Sequence, residues 1–263
     1  MRTDKDKDSN GSDLAYEGGK LRLFVPDRLG AGAKVTPDEG QSHYLLHVMR
    51  ARQGMRVLLF NGADGEWQAQ LTDVTRRSCA MICEKQTRTQ EGVPDLWLAF
   101  APIKKTPADY VAQKATELGT AVLQPVITHR TIARRVNLER LRANALEAAE
   151  QSERLTVPEI GEPLALQQLL QTWPVQRPML FCDEGGDEIP ILDALKERRA
   201  GPWGVLTGPE GGFDPEERAA IRKQDYVVPV TLGPRIMRAD TAALAALAVW
   251  QAALGDWGHP PRL

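Results

Sequence analysis

The chain has 263 residues, a mass of 29.1 kDa and a net charge of −2, with 42% hydrophobic and 26% charged side chains. A chain of this length buries roughly 70–75% of its unfolded surface, so it needs no disulfide or metal staple, and no apolar run reaches the ~18–20 residues that cross a bilayer. The near-neutral charge excludes a protein that holds nucleic acid by bulk positive charge, and three scattered cysteines (Cys79, Cys83 and Cys182) suit neither a disulfide framework nor a zinc cage.

Residues 1–20 mix Asp, Lys, Ser and Gly without periodicity and read as a disordered tail. They lack the apolar stretch of a signal peptide, so the expected location is a reducing cytoplasm. Residues 21–90 read as β throughout their working parts: LRLFV, RVLLF, EWQAQLTDV and CAMICE are short and rich in Val, Leu, Phe and Trp. Asn61-Gly62-Ala63-Asp64-Gly65 contains both strong hairpin dipeptides. Short strands joined by tight turns predict a small barrel, with a helical turn only over 41–49.

From Pro94 the pattern changes. The strands DLWLAFA, VLQPV, PMLFCD, WGVLT and YVVPVT alternate with helical stretches at 106–118, 137–154, 164–172, 190–199, 215–224 and 240–254. Such alternation predicts an α/β domain with a parallel sheet covered by helices, over residues 94–257. The helix near 215 has its start written out: Asp214 as N-cap, Pro215 at the first position and Glu217 three residues after the cap. The last helix, DTAALAALAVWQAAL, is apolar on nearly every side, which predicts burial or a shared subunit interface.

Two segments at strand ends carry the candidate chemistry. In Leu206-Thr207-Gly208-Pro209-Glu210-Gly211-Gly212-Phe213, three glycines and a proline make a tight loop whose backbone can approach a ligand closely. Ligands of open α/β sheets bind at the carboxyl ends of strands, where this loop falls. No G-x-G-x-x-G follows a strand and no G-x-x-x-x-G-K-[ST] occurs, which disfavours a dinucleotide dehydrogenase or a P-loop NTPase. The second segment, Leu232-Gly233-Pro234-Arg235-Ile236-Met237-Arg238-Ala239-Asp240-Thr241-Ala242, crowds two arginines, an aspartate and a threonine at the start of the apolar terminal helix. On composition alone, Asp240 is equally a helix cap and the arginines equally surface residues. Charge is also uneven: HRTIARRVNLERLR, residues 129–142, holds five arginines against one glutamate, so it either faces phosphates or forms a solvated helix start.

LTGPEGGF followed by LGPRIMRADTA resembles the SPOUT-class RNA methyltransferases, and most closely the ribosomal RNA small subunit methyltransferase E family. Gln113-Lys114-Ala115-Thr116-Glu117-Leu118-Gly119 is similar to that family's QKATELG segment. Glu150-Gln151-Ser152, Arg154 and Val157-Pro158 are similar to its EQS-x-R-x-x-VP segment. Arg22-Leu23-Phe24-Val25 and His47-Val48-Met49-Arg50 resemble its N-terminal RNA-binding barrel. Met237 and Asp240 stand where that family usually has Leu and Glu.

The resemblance implies a PUA-like β-barrel followed by a SPOUT-type parallel sheet with a trefoil knot, working as a homodimer. The implied activity is methylation, from S-adenosylmethionine and without metal, of N3 of a uridine in 16S rRNA of the small subunit. Another base, a tRNA substrate or a non-catalytic assembly factor are the alternatives. The implied cofactor residues are Leu206, Thr207, Gly208, Pro209, Glu210, Gly211, Leu232, Gly233, Ile236, Met237, Arg238 and Thr241, with a weaker third loop at Asp183-Glu184-Gly185-Gly186. Arg238 is expected to stabilise charge on the uracil oxygens, and Asp240 or Glu210 to take the N3 proton or merely to tie down a loop. The basic residues expected at RNA are Arg22, Arg50, Arg52, Lys104, Arg130, Arg134, Arg135 and Arg154.

Overall fold

A computed structural model describes residues 21–103, 106–133, 135–183, 185 and 188–259. The chain divides into two compact units, residues 1–89 and 90–263.

The first unit is built on a five-stranded sheet in the order β1-β3-β4-β5-β2. Its strands are β1 (Arg22–Phe24), β2 (Lys34–Val35), β3 (Arg56–Phe60), β4 (Glu66–Thr72) and β5 (Ala80–Arg88), with β1 parallel to β3 and the other neighbours antiparallel. The β3–β4 hairpin forms where the NG and DG dipeptides predict it. Asn61 Oδ1 accepts from the backbone N–H groups of Ala63 and Asp64, and Gly62 and Gly65 take φ of 82° and 78°. Alternate residues Val57 and Leu59, with Leu23, Leu71, Met81 and Cys83, fill the core. Between β2 and β3 runs α1 (Glu39–His43), started by a capping box in which Asp38 and Gln41 bond each other's backbone. It continues as a π-helical turn, Tyr44–Val48, so the expected helical turn is present but wider than an α-helix.

The second unit is a seven-stranded parallel sheet covered by helices on both faces. Its elements are β6 (Leu96–Phe100), α2 (Thr106–Glu117), β7 (Val122–Ile127), α3 (Leu138–Gln151), β8 (Glu159–Ile160), β9 (Leu164–Ala165), α4 (Leu166–Thr172), β10 (Met179–Cys182), α5 (Ile191–Leu195), β11 (Trp203–Thr207), α6 (Pro215–Arg222), β12 (Val227–Val230) and α7 (Ala239–Leu254). The order is β12-β10-β11-β6-β7-β8, with β9 also paired to β7. The strands alternate between two cores, as a period of two demands. Leu96, Leu98 and Phe100 of β6, with Leu180 and Val205, pack against α2, α3, α5 and α7. Ala99, Phe181 and Leu206 face the opposite core with α4 and α6. Arg177 is buried beneath this sheet, donating to the Asp95 and Trp203 carbonyls and to the Asp95 carboxylate at 2.7 Å, with its guanidinium 3.9 Å from the Trp97 ring centre.

Candidate cofactor and RNA site

Both glycine-rich segments open into one cavity of about 870 Å³ at the carboxyl ends of β10, β11 and β12. Its walls are the loop 207–213, the loop 231–239 with Ala242, the end of β10 at Cys182 and Asp183, and the side chains of Arg130 and Arg218. The size lies within the range of small-molecule sites. Much of the wall is backbone, for a local reason. A Cβ on Gly208 would sit 2.8–3.3 Å from the Phe213 ring, and Gly233 adopts φ of 110°, where an L side chain is strained. Phe213 is itself held edge-on against Phe181 at 5.3 Å, so the loop rests on the core.

Asp183, at the cavity floor, is buried and receives two bonds from Arg218 Nε at 2.8 and 2.9 Å and one from Arg222 Nη1 at 2.8 Å. Arg222 also pairs with Glu188. The Arg218 guanidinium fills the space where a side chain on Gly185 would project. The cavity's far wall comes from the turn after β7. Arg130 Nη1 donates to the Gly211 carbonyl at 2.9 Å, while the His129 backbone N–H donates to Glu217 Oε1 at 2.8 Å and its Nδ1 pairs with Asp214. The hydrogen bond to Asp214 holds the His129 imidazole above its ordinary value, aided by the charge of Glu217. Asp214 is held below the usual carboxylate range, first by the Glu217 backbone N–H and then by His129. The ligand atoms of His129, Asp214 and Glu217 lie within 4.8 Å of one another, but the carboxylates are engaged in the helix cap and the β7 turn. Burial pushes the Cys182 thiol in the wall up to about 12, so it serves as an apolar surface.

Of the residues expected at the cofactor, Thr207, Gly208, Pro209, Glu210, Gly211, Leu232, Gly233, Ile236, Met237 and Arg238 line this cavity. Leu206 does not, because alternation along β11 turns it into the core shared with α4 and α6. Asp240 and Thr241 also lie outside the lining. Helix α7 begins at Ala239, which puts Asp240 in its first turn, where Oδ1 accepts from the Thr241 backbone N–H at 2.7 Å.

The arginines expected at RNA separate by burial. Arg22 is 5% exposed and bonds Glu66 at 2.6 Å, so it belongs to the interior of the first unit. Arg154 is likewise buried, donating to the carbonyls of Thr116 and Thr120, and burial lowers its pKa to about 10. Both are corrected from RNA contacts to fold-holding residues, because a guanidinium spent on interior acceptors cannot reach a phosphate. Arg130 lies at the cavity, and Arg50, Arg52 and Arg135 are exposed. Lys104, Arg134, Glu184 and Gly186 lie outside the described residues. Sequence reasoning missed Phe213 and Arg218 as wall residues. A signal for Arg218 existed: Arg218 and Arg222 are spaced i,i+4 on α6 and face the acidic segment after β10.

The cavity thus lies at the ends of parallel strands, walled largely by backbone, with Arg130, Arg218, Arg235 and Arg238 at its edges. A family model described as an RNA methyltransferase domain matches residues 90–251, and one described as an RNA methyltransferase PUA domain matches residues 37–80. A ribosomal RNA small subunit methyltransferase E from Rickettsia conorii is 32% identical over 86% of this chain and 93% of its own. Among solved structures, a methyltransferase from Legionella pneumophila with bound S-adenosylmethionine matches with a TM-score of 0.82 at 26% identity, over 90% of this chain and 99% of that one. A ribosomal RNA small subunit methyltransferase E from Neisseria gonorrhoeae, also bound to S-adenosylmethionine, matches at 0.78 and 28% over the same shares. The chain belongs to the ribosomal RNA small subunit methyltransferase E family.

Proposed function

We propose that this protein transfers a methyl group from S-adenosylmethionine to N3 of a uridine in 16S rRNA of the small subunit. The observation that carries the reading is the single cavity joining Thr207–Phe213 to Thr231–Ala239 in a chain of this family. The residues fit the cofactor: backbone amides and carbonyls with Leu232, Ile236 and Met237 suit a neutral base and ribose, and no phosphate has to be held. When bound, the cofactor supplies an electrophilic methyl on a sulfonium. The chain's own task is positioning, worth up to roughly 7–11 kcal/mol when reacting atoms are well aligned.

Uracil N3 carries a proton at neutral pH, so the site must take that proton and stabilise the charge left on the flanking oxygens. Arg238, exposed on the cavity wall, serves the oxygens, and Glu210, exposed on the opposite loop, serves the proton. Asp240, expected as an alternative base, is assigned to the start of α7 instead.

The reading carries with it the trefoil knot and the homodimer that the family resemblance implies, and a cytoplasmic site of action. Support for the dimer is local. Ile236 is 88% exposed, and on α7 Leu244, Ala248, Val249 and Leu254 stay half-buried, although Leu247 and Trp250 are fully covered within the chain. Among the described residues no helix is long and apolar enough to cross a membrane. Mass spectrometry of rRNA from a strain lacking the protein tests the reading: one methyluridine should vanish from 16S rRNA and return with the gene. Loss of a different base modification, or of none, overturns it.

A further inference from the structure

We propose that Arg218 takes the α-carboxylate of the amino-acid arm of S-adenosylmethionine, through the end of its guanidinium that faces the cavity. This rests on the methyltransferase reading above. It supplies a partner for the cofactor's only anionic group, which the walls suited to the base and ribose leave unserved.

The position of Arg218 follows from the two elements that meet there. Asp214 and Pro215 start α6, so residue 218 ends its first turn beside the loop that leaves β10. Asp183 begins that loop, its backbone N–H bonded to the Val230 carbonyl of β12 at 3.0 Å and its side chain 4% exposed. Both Asp183 oxygens accept from Arg218 Nε, at 2.8 and 2.9 Å. Bonding through Nε fixes the plane of the guanidinium and leaves the other end, with both Nη groups, for a further acceptor. Among the described residues neither Nη makes a hydrogen bond, and Glu188 Oε1 stays 3.9 Å from Nη2. The group lies over Gly185, where the missing side chain makes the room, and it lines the cavity. A carboxylate matches two parallel N–H donors, and a guanidinium already held in place loses little freedom in pairing with it.

The other arginines of the cavity are committed or placed differently. Arg130 spends Nη1 on the Gly211 carbonyl, and Arg235 and Arg238 are exposed on the loop before α7. Among the described lining residues, Arg218 alone is held by a buried carboxylate. The charge around it selects the ligand class. Arg218 and Arg222 stand against Asp183 and Glu188, and Arg222 bonds both carboxylates. Two charges of each sign leave this cluster neutral. It therefore complements a zwitterion, whose carboxylate meets the Nη groups while its ammonium faces no excess of positive charge. A phosphate diester would find no such excess to bind.

The experiment titrates the full chain by calorimetry with three ligands. These are S-adenosylmethionine, its decarboxylated form, which lacks only the α-carboxylate, and methylthioadenosine, which lacks the whole arm. The parent should bind S-adenosylmethionine roughly ten- to a hundredfold more tightly than the decarboxylated form. Arg218→Gln should abolish that ratio and bind methylthioadenosine as the parent does, which also shows the fold intact. Arg218→Lys keeps the charge without the paired donors and should keep part of the ratio. Arg222→Gln removes an equal charge from the same cluster, outside the cavity lining, and should keep the parent's ratio. A parent that does not distinguish the two arms, or an Arg218→Gln variant that still does, overturns the contact. So does an equal loss for all three ligands in Arg218→Gln, or a loss of the ratio in Arg222→Gln. If the ratios behave as stated but the parent methylates no subunits, the carboxylate contact stands and the proposed reaction fails. A parent that binds none of the three overturns both.

Discussion

Arg130 Nη1 donates to the carbonyl oxygen of Gly211 at 2.9 Å, so the turn after β7 holds the tip of the glycine-rich loop after β11. The contact joins residues 81 positions apart and is charge-assisted on the donor side. It makes Arg130 part of the cavity wall, where the sequence suggested an RNA contact.

Arg130→Ala should therefore act on the cofactor. Loss of a hydrogen bond from a charged group costs about 1.5–3 kcal/mol. Affinity for S-adenosylmethionine, measured by calorimetry, should fall by roughly ten- to a hundredfold, with Arg130→Lys between the two. An unchanged affinity would return Arg130 to the RNA surface alone.

The same turn predicts a pH dependence for the site. His129 is raised by its bond to Asp214, and Asp214 is lowered by the Glu217 N–H and by His129. For a raised histidine, the stabilising contribution is fully present below its unfolded value of about 6.5 and is lost as pH rises through the folded value above that. For the lowered aspartate, it is present above about 3.8 and is lost as pH falls through the folded value below that. The clasp between β7 and α6 is thus closed in mildly acidic solution and loosens on the alkaline side. Cofactor affinity of the parent should decline from pH 6 towards pH 9, and His129→Ala should flatten that profile. A profile identical in parent and variant would show that the clasp does not reach the cavity.

The two glycines of the first loop should respond differently. A Cβ on Gly208 meets the Phe213 ring at 2.8–3.3 Å, and Phe213 is backed by Phe181, so it cannot withdraw freely. A Cβ on Gly211 meets only Arg130 carbons at 3.5 Å, an ordinary contact. Gly208→Ala should weaken cofactor binding at least tenfold, while Gly211→Ala should stay within about threefold by the same titration. The reverse order would mean that the ligand, and not the ring, limits the space at Gly208.

These contrasts mark what the sequence could and could not show. The α/β alternation, the hairpin at Asn61–Gly65 and the α6 capping box were legible because each depends on residues close in the chain. The two glycine-rich segments were legible as cavity walls for the same reason. Leu206 was misplaced because the face a strand residue takes depends on which core its neighbours fill. Arg22 and Arg154 were misplaced because their partners, Glu66, Thr116 and Thr120, are 34 to 44 residues away. A basic side chain reads as a surface group until its distant acceptor is known. Over 41–49 the sequence showed a helical turn but not the π-type hydrogen bonding that Tyr44–Val48 adopt.

The assignment of the proton acceptor separates two carboxylates that the sequence left equivalent. Glu210 is exposed on the cavity wall, while Asp240 lies outside the lining and spends Oδ1 on the first turn of α7. Glu210→Gln keeps the shape and the hydrogen-bonding length but removes the base. It should lower kcat for small-subunit methylation by about 10²–10⁴ while adenosylmethionine affinity stays near the parent value. Asp240→Asn removes a negative charge from a helix N-terminus, which is worth about 0.3–1 kcal/mol of stability. It should lower the melting temperature slightly and change kcat by less than about fivefold, since no proton passes through it. Single-turnover assays with prebound cofactor isolate the chemical step from cofactor uptake. A large loss of the chemical rate in Asp240→Asn, with Glu210→Gln near normal, would exchange the two roles and require the start of α7 to rearrange when RNA binds.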